Sequence, residues 1–419
     1  MTASTRPLVA IVHGEGSVSP MKLSASAAGL CDVVWVIDSS EPDGTSAIRL
    51  LRKLGTVVDV AGMSEDEVAE ALRPLHPDGV AAYADKQLAA ASGLASRLGL
   101  PFHDGVVTER LLDKSTQRRA LRDGGLPVPR SAVVPPSPTP RDLDALAASV
   151  DFPVVLKPRH GAASRDTVLV GDAGQLAAVL CRPSSTGPAP SMVIEEYMVG
   201  ASPPPSSHFA DYVSVESVVA GGTISHVAVT GRLPQAEPFR ETGLVIPSDF
   251  DPSTVKEILG VATEAIMALG IRTGCLHTEI KMTDVGPRVI EVNGRLGGFV
   301  PEVLAQAVPG FDLFEISQRV ALGEEVTYPD LVTGERVGYV IVEQPPQWAH
   351  HVSAVEGLVG LSAYPGVSSV VLSRQPGDEV DWRRGSHEYV YSVIGSAPDH
   401  AGVVALQRFI DAEVEVTYS

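Results

Sequence analysis

The sequence predicts an α/β and α+β fold built in several parts, and three observations predict it. Short apolar runs alternate with Ala- and Leu-rich stretches over the first hundred residues. A proline-rich stretch near residue 135 then separates them from a strand–loop–strand–helix–strand series, and from about residue 330 the pattern is mostly β. Length agrees, since 419 residues at roughly 100 to 200 per domain make two to four domains with ample core. With 44% hydrophobic and 20% charged residues, the chain is globular in composition.

In order along the chain, Leu8–Val12, Val33–Ile37, Val57–Val60 and Gly79–Tyr83 read as strands, with helical stretches such as Lys86–Leu98 between them. Alternation of this kind implies parallel strands joined by crossover helices. Gly14-Glu15-Gly16, after the first strand, is an incomplete dinucleotide fingerprint and reads as an ordinary strand-to-helix turn. Residues 113–123 form a short helix stopped by Gly124-Gly125 and Pro127. After the linker Pro135–Pro140 come a strand at Val154–Lys157, a polar loop at Arg159–Asp166, a strand at Thr167–Val170, a helix at Ala173–Leu180 and a strand at Met192–Glu196. Ser202–Ser207 reads as a loop, and Tyr212–Ala220 turns through Gly221-Gly222 into Thr223–Val229 as a hairpin. A helix follows at Thr254–Leu269, then a second hairpin. At the far end come a helix near Gly402–Asp411 and a strand at Val414–Tyr418, with no chemistry-bearing cluster in the region. Adjacent residues point in different directions, so His350-His351 is a poor metal pair.

Charge and cysteine content exclude several classes. Thirty-two Lys and Arg against 51 Asp and Glu give a net charge of −19, and without a basic run nucleic acid is not an expected partner. The three cysteines, Cys31, Cys181 and Cys275, are far apart and odd in number, so neither a disulfide framework nor a paired-cysteine metal site is expected. No apolar stretch approaches the roughly 20 residues that span a bilayer. A cytoplasmic protein without membrane contact is expected.

The second hairpin is the most informative segment. Gly274–Met282 and Arg288–Asn293 flank the turn residues 283–287, and a symmetric antiparallel register centred on Val285 opposes Glu279 to Glu291 and His277 to Asn293 on one sheet face. Opposed like charges with Cβ atoms about 4.5 to 5.5 Å apart destabilise a sheet, so a cation is expected between them. Two carboxylates and an amide oxygen suit Mg²⁺, which takes few protein ligands and fills its shell with water and phosphate oxygens. The plainer alternative is a solvated hairpin whose carboxylates pair with Lys281 or Arg288. Gly294-Arg295-Leu296-Gly297-Gly298 follows at once, setting an arginine among glycines that permit close backbone approach. Upstream, Lys114 opens its helix, and Lys157 ends an apolar strand that fixes its position. Glu195-Glu196-Tyr197-Met198 closes another apolar strand, an edge suited to a purine.

Taken together and in order, Asp113-Lys114, Val155-Leu156-Lys157-Pro158, Ser164-Arg165, Ile194-Glu195-Glu196-Tyr197, Asp211–Glu216, His277-Thr278-Glu279 and Glu291-Val292-Asn293-Gly294-Arg295 resemble the ATP-grasp carboxylate–amine ligases, and within them the L-amino acid ligases. The resemblance implies a Rossmann-like α/β domain at 1–110, a small ATP-grasp subdomain with its linker at 111–205, a large subdomain with the metal site at 206–325 and a β-rich C-terminal domain at 326–419. It implies that Lys114 and Lys157 contact the ATP phosphates beneath a loop that includes Ser164 and Arg165. The Glu195 side chain, the Glu196 carbonyl and the Met198 amide would hold adenine, and Asp211 the ribose. Glu279, Glu291 and Asn293 would hold Mg²⁺, two ions with Mn²⁺ as a substitute, and Arg295 would steady the phosphoryl group. The loop 159–166 has one glycine where relatives are commonly glycine-richer.

The same resemblance implies an amide, and in particular a dipeptide, formed through an acyl phosphate. Glu241, in Phe239-Arg240-Glu241-Thr242-Gly243, would meet the donor's ammonium, Leu244 stands where a relative carries histidine, and Phe299 resembles a bulky pocket wall. Read alone, Glu241 is a loop carboxylate paired with Arg240. Partners are small molecules, a carboxylate and an amine, with room for a homodimer. Alternatives are a ligase acting on a non-amino-acid carboxylate, a kinase of the same fold, and a nucleotide-binding regulator without turnover.

Overall fold

The computed structural model describes residues 6–14, 16, 18–41, 44–180, 190–200, 208–326, 328, 331–332 and 334–419. The loop expected at 202–207 lies outside them, as do Glu15 and Cys181.

Strands β1 (Leu8–His13), β2 (Asp32–Ile37), β3 (Thr56–Asp59) and β4 (Gly79–Ala82) form a sheet in the order β3-β2-β1-β4, every pair parallel. The crossover helices are Pro20–Ala27, Gly44–Leu54 and Glu65–Leu72, and a further helix, Asp85–Leu98, begins just past the carboxyl end of β4. A second four-stranded sheet, ordered β5-β8-β6-β7, comprises β5 (Ser131–Val133), β6 (Val154–Pro158), β7 (Val168–Val170) and β8 (Met192–Glu196). Leu146 and Leu176, from the helices Pro140–Ala148 and Ala173–Leu180, pack with Val154, Leu156 and Ile194 of this sheet. The sequence reading ran Pro135–Pro140 on as linker. In fact Pro140 is the first residue of the helix, whose N-cap Thr139 and Asp142 form a capping box, and proline suits that first-turn position.

The third sheet holds β9 (Tyr212–Ala220), β10 (Thr223–Arg232), β11 (Gly243–Ile246), β12 (Gly274–Thr283), β13 (Gly286–Asn293), β14 (Val337–Val342), β16 (Val367–Leu372) and β17 (Tyr391–Ala397), ordered β13-β12-β9-β10-β11-β14-β17-β16. Strands from beyond residue 330 thus continue the sheet begun at Tyr212, while β15 (Val352–Glu356) pairs apart with β18 (Glu415–Tyr418). Alternation splits the central strands by chemistry. One face, with Val213, Val215, Val229 and Ile280, packs on Ile258 and Ala262 of the helix Pro252–Leu269. The other carries Ser214, Glu216, Thr230, Arg232, His277 and Glu279. Helix Leu313–Ala321 lies in one buried cluster with Val9, Ile11 and Trp35 of the parallel sheet and with Val218, Val227 and Cys275 of the large one, so the polar face is closed in beneath the N-terminal sheet.

Candidate functional site

The hairpin β12–β13 opposes Glu279 to Glu291 and His277 to Asn293, as the sequence predicts, but by a different route. Thr283 pairs with Gly286, leaving only Asp284 and Val285 in the turn, and between Ile280↔Val289 and Glu279↔Glu291 the register shifts by one residue. The extra residue is Ile290, a β-bulge of the kind that re-aims side chains at sites. A bulge frees backbone groups that need partners when buried. Here Arg118, from the helix Lys114–Asp123, supplies them: Nη1 donates to the Val289 carbonyl at 3.2 Å and Nη2 to that of Ile290. Gln117 completes this sheet edge, donating to the Val292 carbonyl and accepting its N–H, both at 2.9 Å.

Around the opposed carboxylates the charges are arranged in layers. Lys114 Nζ lies 2.9 Å from Glu291 Oε1 and donates at 2.7 Å to the carbonyl of Gly161 in the polar loop. Among the described residues no lysine or arginine pairs with Glu279, which lies 3.5 Å from Asn293 Nδ2 and 3.8 Å from His277 Nε2. Burial, helped by the neighbouring Glu241 and Glu291, pushes its carboxyl above the usual carboxylate range. Among the described residues neither glutamate pairs with Arg288 or with Lys281, which instead holds Asp211 Oδ1 at 2.6 Å. A half-neutralised pair of half-buried carboxylates beside an amide oxygen is the donor set that fits a hard divalent cation. Among the described residues no group of three or more His, Cys, Asp or Glu side chains is placed to hold a metal ion by itself.

Arg295 reaches this centre from the loop after β13. Its Nε donates to Asp85 Oδ2 at 2.8 Å and its Nη1 to the Leu296 carbonyl at 3.0 Å. Asp85 is the first residue of the helix after β4, so the N-terminal sheet aims this arginine from its carboxyl edge, where ligands of open α/β sheets gather. Gly297 is required by close packing, for a Cβ there would stand 2.5 Å from His277 Nδ1.

Under Glu279 runs a buried chain. His277 Nδ1 lies 2.9 Å from Glu216, and Arg232 Nη2 donates to His277 Nε2 at 3.1 Å and to Ser214 Oγ at 2.8 Å. Because guanidinium only donates, Nε2 is the acceptor and Nδ1 carries the proton toward Glu216. The other end, Arg232 Nη1, holds Glu241 Oε1 at 2.7 Å. This overturns the pairing of Glu241 with Arg240: Arg240 is buried, donating to the carbonyls of Glu237 and Pro345, and cannot reach its neighbour's carboxylate. Arg232 was missed because the sequence reading ended its strand at Val229. Two-residue alternation from Ser214 and Thr230 would have placed it on the polar face.

Lys157 Nζ lies 2.7 Å from Glu195 Oε2, and Arg118 closes on the same carboxylate with Nε and Nη2 at 2.9 and 3.0 Å. Burial works to raise this carboxyl, but Arg118 and then Lys157 outweigh it and hold it down to about 2. The Glu195 carboxylate expected at adenine is therefore committed to two cations. Glu196 turns its side chain to Arg130 and to the Asp151 N–H, while Tyr197 and the half-buried Met198 follow at the strand end. The Tyr197 ring lies 5.7 Å from Lys281 Nζ and 6.1 Å from the Phe239 ring. Asp211, expected at the ribose, is the partner of Lys281, and a Cβ on Gly200 would overlap its carboxylate. Ser164 and Arg165 sit in the polar loop, where Ala163, Ser164 and Asp166 all take left-handed backbone, φ 58°, 56° and 50°. Phe299, in the same region of φ at 61°, has its ring 5.7 Å from Tyr389.

No protein-family model matches the chain. Uncharacterized protein y4rH of Sinorhizobium fredii is 26% identical over 342 residues, 80% of this chain and 67% of that protein. Alanine–anticapsin ligase of Bacillus subtilis is 27% identical over 261 residues, 58% of this chain and 54% of the ligase, so the chain matches about half the length of that relative. The crystal structure of an L-amino acid ligase from Bacillus licheniformis superposes with a TM-score of 0.78 at 20% identity, covering 100% of both chains. That likeness shows a common fold. No helix among the described residues is long and apolar enough to cross a membrane.

Proposed function

We propose, for a chain that belongs to the ATP-grasp ligases, that it joins an amino acid to an amine, in particular to a second amino acid, at the expense of ATP. A carboxylate is a poor electrophile. Attack of its oxygen on the γ-phosphorus of ATP expels ADP and leaves an acyl phosphate. The amine nitrogen then attacks the acyl carbon, phosphate departs, and the nitrogen loses its proton. Phosphoryl transfer asks the protein for position and charge rather than for a nucleophile. In this reading Lys114 and Lys157 lie along the phosphates under the loop 159–166, which includes Ser164 and Arg165. Arg295 steadies the phosphoryl group in transit, a task for which a planar fork suits better than a point charge. Adenine lies against the Glu196 carbonyl and Met198 amide, with Asp211 toward the ribose. Glu279, Glu291 and Asn293 would hold Mg²⁺, which supplies charge neutralisation of the phosphate oxygens when bound.

The observation that carries the reading is Glu279 facing Glu291 with a single lysine, Lys114, paired to Glu291, an arrangement unfavourable until a divalent ion enters. For the donor, Glu241 is the group that supports an amino acid: its carboxylate is anchored by Arg232, partly exposed, and able to accept a charge-assisted hydrogen bond from an ammonium. The names of the relatives, an L-amino acid ligase and an alanine–anticapsin ligase, agree with that class of donor. The test is to incubate the protein with Mg-ATP and pairs of amino acids, reading phosphate by colour and dipeptide by mass. Phosphate and dipeptide in equal amounts are expected. Turnover confined to acids lacking an α-amino group, or a donor preference unchanged in Glu241→Ala, would reject the amino acid assignment. ADP and a stable phosphorylated acid, with neither free phosphate nor amide, would favour a kinase.

A further inference from the structure

The region after residue 330 offered no chemistry in sequence, yet one segment of it, Asp381–Tyr389, touches both the phosphate loop and the donor-side loop. The Asp166 N–H donates to the Arg383 carbonyl at 3.0 Å, and the Ser386 N–H donates to the Ala163 carbonyl at 2.8 Å. These two bonds bracket the stretch of loop held in left-handed backbone, a conformation that needs outside contacts to persist. Between them lies Gly385, at φ 81°, where a Cβ would stand 2.0 Å from the Ala163 oxygen and 2.8 Å from the Arg165 nitrogen. Only a glycine lets the two backbones meet.

Ser386 also faces the other way. Its Oγ accepts from the Glu241 N–H at 3.1 Å, and Gln344 Nε2 donates both to the Glu241 carbonyl at 2.7 Å and to the Ser386 carbonyl at 2.9 Å. At the segment's end Tyr389 lies against Phe299, the residue read as a donor-pocket wall. The segment itself is stiff: Glu388, 3% exposed, accepts from Arg374 at 2.9 Å and from the Asp381 N–H at 3.2 Å. A stiff piece bonded to two otherwise separate loops moves them together.

We infer that Asp381–Tyr389 is a clasp that fastens the loop 159–166 over the phosphates and ties its closure to the donor-side loop at Glu241, making Gly385 and Ser386 positioning residues of the ligase reaction. The inference rests on the reading of the centre as a nucleotide site. Its chemical consequence concerns the acyl phosphate, which survives to meet the amine only while water is shut out. A loosened clasp diverts the intermediate to hydrolysis, raising phosphate released per amide formed.

Hydrogen exchange read by mass spectrometry separates the layers, with Mg²⁺ and a non-hydrolysable ATP analogue as the probe. In the parent protein the analogue is expected to protect peptides over 159–166 and over 194–199. In Gly385→Ala, protection at 194–199 stays, while 159–166 exchanges at least tenfold faster. In Ser386→Ala, which keeps the N–H to Ala163 but loses the hydroxyl, peptides over 239–243 lose protection and phosphate released per dipeptide rises severalfold, with KM for ATP unchanged. Equal protection of 159–166 in parent and Gly385→Ala, or a Ser386→Ala protein matching the parent at 239–243 and in its product ratio, overturns the clasp and leaves the nucleotide reading standing. Should the parent show no protection at 194–199, the nucleotide reading falls and the clasp with it.

Discussion

Glu195 offers the most quantitative test of how the site is held. Its carboxylate lies within 3.0 Å of Arg118 and Lys157 and is held at about 2 against an ordinary 4.5. That difference of about 2.5 units corresponds to roughly 3 kcal/mol at 1.36 kcal/mol per unit. A depressed carboxyl stabilises the fold at pH values above its unfolded pKa. The contribution should therefore be whole above about pH 4.5 and fade as pH falls toward 2. Glu195→Gln removes the charge at nearly constant shape, leaving Arg118 and Lys157 buried against a neutral amide. Breaking one partner out of a buried ion cluster costs about 3 to 5 kcal/mol.

The informative quantity is the gap between parent and variant, because every other titrating group is common to both. Urea midpoints followed by circular dichroism at steps from pH 7 to pH 3 would measure it. The gap is expected to be widest at pH 7 and to shrink steadily below pH 4.5, where the unfolded parent's Glu195 takes up a proton that the folded one, held at about 2, still refuses. A gap that is absent at neutral pH, or that keeps its size down to pH 3, would refute the assignment of Glu195 to the cations. ATP affinity in the variant should fall as well, since Lys157 loses the carboxylate that fixes it.

Glu279→Gln and Glu291→Gln should each abolish ATP turnover, yet Glu279→Gln should melt no lower than the parent, because burial already disfavours that charge; near-normal turnover at ordinary Mg²⁺ in either variant would refute the two-carboxylate site. Arg295→Ala should lose roughly 100- to 1000-fold in kcat with a smaller loss in ATP affinity by calorimetry, and Arg295→Lys should recover only part of it. Asp85→Asn, which removes the carboxylate charge facing Arg295, should lower kcat with KM for ATP unchanged, and parent kinetics there would show that the N-terminal sheet does not aim Arg295.

What the sequence made legible, and what it hid, follows from the range of the interactions involved. Strand alternation is local, so the opposition of Glu279 to Glu291 could be read from the hairpin itself. Even there two errors cancelled: the turn is tighter than a five-residue loop about Val285, and the bulge at Ile290 restores the register that the tighter turn alone would have shifted by one residue. Had the bulge been absent, Glu291 would face the opposite side of the sheet. Nothing within the hairpin announces that bulge, because what stabilises it is Arg118, about 170 residues earlier, whose guanidinium takes the two carbonyls that the ladder leaves over. The same arginine clamps Glu195, whose other partner is Lys157. A single buried side chain thus sets the spacing between the carboxylate pair and Lys157, and its place in the sequence, four residues after Lys114 on a polar helix, looks like any exposed arginine. The residues that could be read in advance are those whose spacing along one strand decides their neighbours. Those that were missed, Arg118, Arg232, Asp85 and Ser386, join segments that the chain brings together only after the three sheets have packed.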